Sequence, residues 1–171
     1  TIRKQALKGL FFSDNAVRDA TGALNVTDNR TETCQYYAFF FKVATPQDDP
    51  ELWRVMMEEF GPKHRGPQDH PEIHKANAFF GDMLRQELLS RDGRVRELCE
   101  EAGDYLLPMA EATGTLWEHE QSVASMSHGF ESHIMHVFYR DVLGLYEVDP
   151  LEKTITLRFT ETGLPWCRGE H

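Results

Sequence analysis

Apolar residues at Ile2, Ala6, Leu7, Leu10 and Phe11 recur with the i, i+4, i+5 spacing of one helix face, which predicts an amphipathic helix over 2–11. Between Asn15 and Thr27 the pattern changes to short alternating runs on either side of Thr21-Gly22, the signature of a β-hairpin or an irregular excursion. Asn29 followed by Glu32 has the form of a capping box, and the aromatic-rich run Thr33 to Val43 predicts a well-buried helix stopped by Pro46. Asp48 and Glu51 repeat the start signal with Pro50 in the first turn. Leu52, Trp53, Val55, Met56, Met57 and Phe60 then fill a helix that Gly61 ends, giving a helical hairpin.

Residues 61–75 hold three prolines, two glycines and three histidines without periodicity, which predicts a long surface connection. Two further helical patterns, Ala78 to Ser90 and Arg94 to Ala112, meet at Asp92-Gly93. They set Leu84, Leu88 and Leu89 against Leu98, Ala102, Tyr105, Leu106 and Met109 as a second hairpin. A loop over 114–127 leads into a helix from about Gly129 to Leu143, after which Thr154 to Phe159 alternates as a strand and Leu164 to Cys167 begins another. The expected architecture is mainly α, with repeated helical hairpins whose long loops gather at one end, as in an α/α toroid.

Composition narrows the function classes. With 171 residues and 40% hydrophobic positions the chain is long enough to bury a sizeable core. Its net charge of −10, from 28 acidic and 18 basic residues, argues against nucleic acid or an anionic membrane surface as a partner and favours a small neutral substrate. No apolar run approaches the roughly 20 residues that span a bilayer, and TIRKQALKGL has no signal-peptide core. A first residue that is Thr and an ending in LPWCRGEH are read as marks of a segment whose partners include the rest of the same polypeptide upstream and downstream. Cys34, Cys99 and Cys167 form neither a disulfide framework nor a CxxC motif and are expected to be buried structural thiols.

The densest chemistry lies in TGTLWEHEQSVASMSHGFE, residues 113–131. Glu118 follows Trp117, and a carboxyl beside an indole is a candidate general acid or base whose pKa desolvation would raise, with the ring as a sugar platform. The structural alternative is a surface glutamate beside a core tryptophan. Glu120, two residues on, would point the other way in an extended loop and is a poor partner. His128 is suited to hydrogen-bonding a polyol hydroxyl or to capping the next helix, with a satisfied structural histidine as the alternative. Glu131, His133 and His136 lack a compact ligand spacing, and at about 100° per residue His128 and His133 fall roughly 140° apart, so no metal and no cofactor are expected. His64, His70 and His74 read as members of a solvated connection. Asn77, Phe79, Phe80 and Gly81 place a polar group beside aromatics that line either a pocket or the core. Glu32, Gln35, Tyr36 and Tyr37 stand similarly, with capping as the simplest role for Glu32.

The segments NRTETCQYYAFFFKVATP, ANAFFGDMLRQELLSRDG, GTLWEHEQSVASMSHGFESH and VLGLYEVDPLEKTITLRF together resemble the α-L-rhamnosidase family of six-hairpin glycosidases, the third most specifically. The resemblance implies that residues 1–149 are later hairpins of an (α/α)6 barrel and that 150–171 begin a C-terminal β-sandwich domain. It further implies an inverting hydrolase of terminal α-linked L-rhamnose, from a bacterium and often exported, with rhamnosides as the carbohydrate substrate. Glu118 would be the general base and His128 a sugar contact, with Trp117, Asn77 and Phe79 beside the sugar. His119 and Glu120 depart from the family's usual neighbours. An inverting site also needs a protonated acid roughly 6.5–9.5 Å from the base, and its motif is expected upstream of Thr1.

Overall fold

The computed structural model describes residues 2–62, 70–76, 78–119 and 123–170. The chain is mainly α, and the described residues carry three antiparallel two-stranded hairpins. It groups into two compact units, Thr1–Arg85 and Gln86–His171.

In the first unit the opening helix, α1, covers only Ile2–Ala6. The expected extension to Phe11 does not form. Gly9, at φ 67°, turns the chain so that β1 (Leu7–Lys8) pairs with β2 (Phe11–Phe12), and the apolar positions that suggested a helix face instead bury Phe11 and Phe12. Helix and hairpin periodicities coincide over so short a run, and a glycine with positive φ decides between them.

The second hairpin forms where the alternation predicted it, β3 (Ala16–Arg18) against β4 (Leu24–Val26). Its turn is organised by the Asp19 carboxylate, which accepts from Thr21 N at 2.8 Å, Thr21 Oγ1 at 2.6 Å and Asn25 Nδ2 at 2.9 Å. The Thr21 hydroxyl leads these donors in holding Asp19 down at about 2.

Helix α2 spans Glu32–Phe40 and is capped by Thr31, whose hydroxyl accepts from Cys34 N at 3.1 Å. The cap is thus two residues later than the Asn29/Glu32 box, which leaves Glu32 inside the first turn. The helix also stops before Pro46. Lys42, at φ 57°, breaks it, and Val43 N returns to Ala38 O at 2.8 Å in a Schellman-type closure. Helix α3, Pro50–Glu58, begins with Pro50 at its first position. It packs on α2 through Phe39 and Trp53, whose ring centroids are 5.1 Å apart.

Two buried polar side chains complete this core by bonding the main chain. Gln35 accepts from Phe12 N at 2.8 Å and donates to Phe12 O at 3.0 Å, standing in for a strand partner. Arg85, 1% exposed, donates to Met56 O at 2.6 Å and Met57 O at 3.2 Å, satisfying carbonyls at the end of α3. Gly61 is required beside it, because its φ is 103° and a Cβ there would lie 2.5 Å from Arg85 Nε.

Residues 78–82 form a π-helical turn that runs into α4 (Met83–Arg91), and α5 follows over Val95–Thr113. In the second unit Leu88, Leu89, Val95, Leu98, Leu106, Met109, Ile134 and Val137 are buried. Gly114, at φ 73°, ends α5 by donating to Ala110 O at 2.8 Å. The helix expected over 129–143 is a composite: a 3-10 turn (Gly129–Ser132), α6 (His133–Val137) and a π turn (Phe138–Val142). Strand β5 (Leu145–Asp149), absent from the sequence reading, pairs with β6 (Thr154–Leu157), so residues 149 and 150 fall at the turn of one hairpin. Leu164 to Cys167 form no strand, and Cys167 is exposed rather than buried.

Candidate active site

The loop after α5 is folded back on itself. Glu118 N donates to Ser125 O at 2.9 Å and His128 N to Leu116 O at 2.8 Å, so limbs 115–118 and 125–128 run antiparallel. This irregular ladder brings together two side chains ten positions apart: Glu118 Oε2 lies 3.9 Å from His128 Nδ1, with the two side chains 33% and 25% exposed. That spacing exceeds a hydrogen bond and remains within electrostatic reach. Ser125 N donates to the same oxygen at 3.4 Å. Both side chains are therefore half-buried, and His128 Nε2 is itself buried.

Trp117 is held from the other end of the loop. Its Nε1 donates to Thr113 Oγ1 at 2.7 Å, in the last turn of α5. The indole N–H is thus committed to the protein, and what remains for a sugar is the ring. His128 itself stacks on Phe130 with centroids 6.1 Å apart. It precedes the 3-10 turn and makes no side-chain cap to it, which removes the capping alternative. Glu120, Asn77 and the side chain of Phe79 lie outside the described residues. His119 is half-buried.

The histidines of the earlier connection have structural partners. His70 Nε2 sits 2.9 Å from Glu59 Oε2 and edges onto Phe11 at 5.2 Å, while His74 pairs through its main chain with Arg30 and Glu32. His64 lies outside the described residues.

Glu32 differs from the expected cap. It is 5% exposed, and Oε2 accepts from Tyr36 Oη and Ala76 N, each at 3.2 Å. Burial pushes its carboxyl above the usual range, opposed by the Ala76 N–H, the Tyr36 hydroxyl, Arg85 and Gly61. The carboxyl joins the start of α2 to residues 61 and 76, tying down both ends of the long connection.

The second unit also holds an ion-pair network that no local sequence pattern marks. Asp141, whose side chain is fully buried, accepts from Arg140 Nε at 2.9 Å and Nη2 at 2.7 Å, from Ser90 Oγ at 2.8 Å and from Arg158. Arg140 Nη1 also donates to both Glu87 oxygens at 2.8 and 3.0 Å, and His133 Nε2 lies 3.1 Å from Glu87 Oε1. Burial alone would raise the Glu87 carboxyl, but His133 and Arg140 outweigh it and hold the group down at about 2. Arg158 lies 4.0 Å over the Tyr146 ring, so the network fastens the β5–β6 hairpin to α4 and to the helical run ending at Val142. The partners are up to 68 positions apart, which is why no local pattern reveals them.

An apolar cavity of about 580 Å³ also lies in this unit, lined among others by Leu106, Leu116, Ile134, Phe138, Leu164 and Trp166. Among the described residues it touches the loop only through Leu116; Trp117, Glu118 and His128 are not part of its wall. Among the described residues no group of three or more His, Cys, Asp and Glu could hold a metal ion, and no helix is long and apolar enough to cross a membrane. Compared with known proteins, the chain matches no family model, no curated protein and no solved structure.

Proposed function

We propose that this chain belongs to the catalytic region of a glycoside hydrolase similar to α-L-rhamnosidases, which removes terminal α-linked L-rhamnose with inversion. In this reading the helices are later hairpins of an (α/α)6 toroid and residues from 150 onward begin a β-sandwich. The observation that carries it is the convergence of Glu118 and His128 across the folded-back loop at 3.9 Å, two groups with the chemistry to handle water and sugar hydroxyls.

Glu118 acts as general base. The Ser125 N–H and His128 both face Oε2, so Oε1 is the oxygen assigned to the water. Glu118 takes a proton as the water oxygen attacks the anomeric carbon, and the glycosidic bond breaks on the opposite face. The leaving oxygen receives its proton from a second carboxyl, assigned to the polypeptide upstream. His128 binds a sugar hydroxyl, and Trp117 offers a ring face.

Glu118→Gln in the intact polypeptide is expected to lower kcat on a nitrophenyl α-L-rhamnoside roughly 10²–10⁴-fold with little change in KM, the signature of a lost general base. Near-normal turnover would remove Glu118 from the mechanism. Turnover of a different nitrophenyl glycoside in its place would keep the hydrolase and reassign the sugar.

A further inference from the structure

The two limbs carrying Glu118 and His128 share an anchor that the proposed chemistry does not use. Trp117 Nε1 donates to Thr113 Oγ1 at 2.7 Å, Thr113 Oγ1 lies 2.7 Å from Thr115 Oγ1, and Thr115 Oγ1 donates to Met126 O. Thr113 Oγ1 also donates to Met109 O at 3.2 Å, one helical turn back.

A threonine hydroxyl has one proton and two lone pairs. Thr115 gives its proton to Met126 O, so Thr113 donates in the Thr113–Thr115 contact, sharing its single proton between Thr115 Oγ1 at 2.7 Å and Met109 O at 3.2 Å, and it accepts from the indole on a lone pair. The chain therefore has a direction: indole N–H to Thr113, Thr113 to Thr115, Thr115 to the Met126 carbonyl. It starts on the residue beside Glu118 and ends two residues before His128. Its centre sits in the last turn of α5, a 19-residue helix with buried Leu98, Tyr105, Leu106 and Met109. The described limbs of the loop are thereby tied to the end of a long helix.

We infer that Thr113 and Thr115 are positioning residues which, by this hydroxyl relay, set the spacing of Glu118 and His128 and fix the plane of Trp117. The inference rests on the reading of Glu118 and His128 as the sugar-facing pair. Neither threonine touches the sugar or moves a proton in the reaction.

The test uses Thr113→Val, Thr115→Val and Thr113→Ser in the intact polypeptide. Valine matches the shape of threonine and removes the relay, whereas serine restores it. The first readout needs no activity: the indole N–H resonance of Trp117, assigned with Trp117→Phe, should exchange with solvent at least tenfold faster in Thr113→Val and return to the parent rate in Thr113→Ser. The second is kcat/KM on the nitrophenyl rhamnoside. It should fall about tenfold or more in both valine variants, mostly in kcat, with Thr113→Ser within about threefold of the parent.

An unchanged indole exchange rate in Thr113→Val overturns the relay. So does rapid exchange that serine does not slow. Changed exchange with unchanged kcat/KM overturns the positioning role. A parent protein that hydrolyses no rhamnoside defeats the functional reading instead; L-rhamnose binding then replaces turnover as the second readout, and unchanged affinity in both valine variants overturns the positioning role.

Discussion

Replacing Asp141 with Asn changes one atom at the centre of the ion-pair network. The parent carboxylate is fully buried and accepts on both oxygens, Oδ1 from Ser90 and Arg158 and Oδ2 from Arg140. Asparagine keeps one acceptor and turns an amide NH₂ toward a guanidinium, donor against donor. Breaking a buried pair by removing one charge costs about 3–5 kcal/mol. Arg140 retains Glu87 at 2.8 and 3.0 Å, and Arg158 retains Ser90 at 3.1 Å and the Tyr146 ring, so the low end, about 3 kcal/mol, applies here. Because the network fastens the β5–β6 hairpin, the loss should appear as easier opening of that hairpin. At 1.4 kcal/mol per factor of ten, amides of Leu145–Asp149 and Thr154–Leu157 should exchange roughly 100-fold faster by hydrogen-exchange mass spectrometry. The Ala16–Val26 hairpin of the other unit serves as the reference and should change less than twofold. An acceleration below about fivefold at β5–β6 would show that the buried network does not hold the hairpin closed.

Three further outcomes follow from the same contacts. Glu87 sits near 2 in the folded chain against about 4.5 when free, so it stabilises the fold fully above about 4.5 and loses that contribution as pH falls toward 2. The shift corresponds to about 3 kcal/mol, and Glu87→Gln should flatten the acid limb of a urea-unfolding series taken between pH 5 and pH 2. Gly61→Ala should destabilise by roughly 2–4 kcal/mol in denaturant melts, because a Cβ meets Arg85 Nε at 2.5 Å and φ is 103°; a cost under about 1 kcal/mol would show that Arg85 yields freely. Among the thiols, exposed Cys167 should react with iodoacetamide first, whereas burial pushes Cys34 up to about 12 and should leave it unlabelled until the chain unfolds.

What the sequence revealed was chiefly local. The β3–β4 turn announced itself through Thr21-Gly22, and α3 through Pro50 and its apolar face. Helices α4 and α5 were marked off by Asp92-Gly93. Sequence pattern and structure part where two periodicities agree over a few residues, as at Leu7–Phe12, or where a close competitor for a role stands nearby, as Thr31 does for the cap of α2. The composite 3-10, α and π run over 129–142 reads as one helix because the apolar spacing hardly changes between those forms.

At the candidate site, residue types and their neighbourhood were visible, but the pairing of limb 115–118 with limb 125–128 was not. Main-chain bonds such as His128 N to Leu116 O leave no mark in side-chain pattern. The Thr113 anchor was within reach, since a hydroxyl four residues before Trp117 at a helix end is a plausible acceptor. Glu32 and the Asp141 network required three-dimensional contacts across 44 and 51 positions.

Time-resolved proton NMR of a nitrophenyl α-L-rhamnoside, mixed with the intact polypeptide and in parallel with its Glu118→Gln variant, reads out both inversion and the role of Glu118 as base. The parent should release β-L-rhamnose before mutarotation, and the variant should release almost none over the same period. Release of the α-anomer first, or equal rates from the two proteins, would contradict that mechanism.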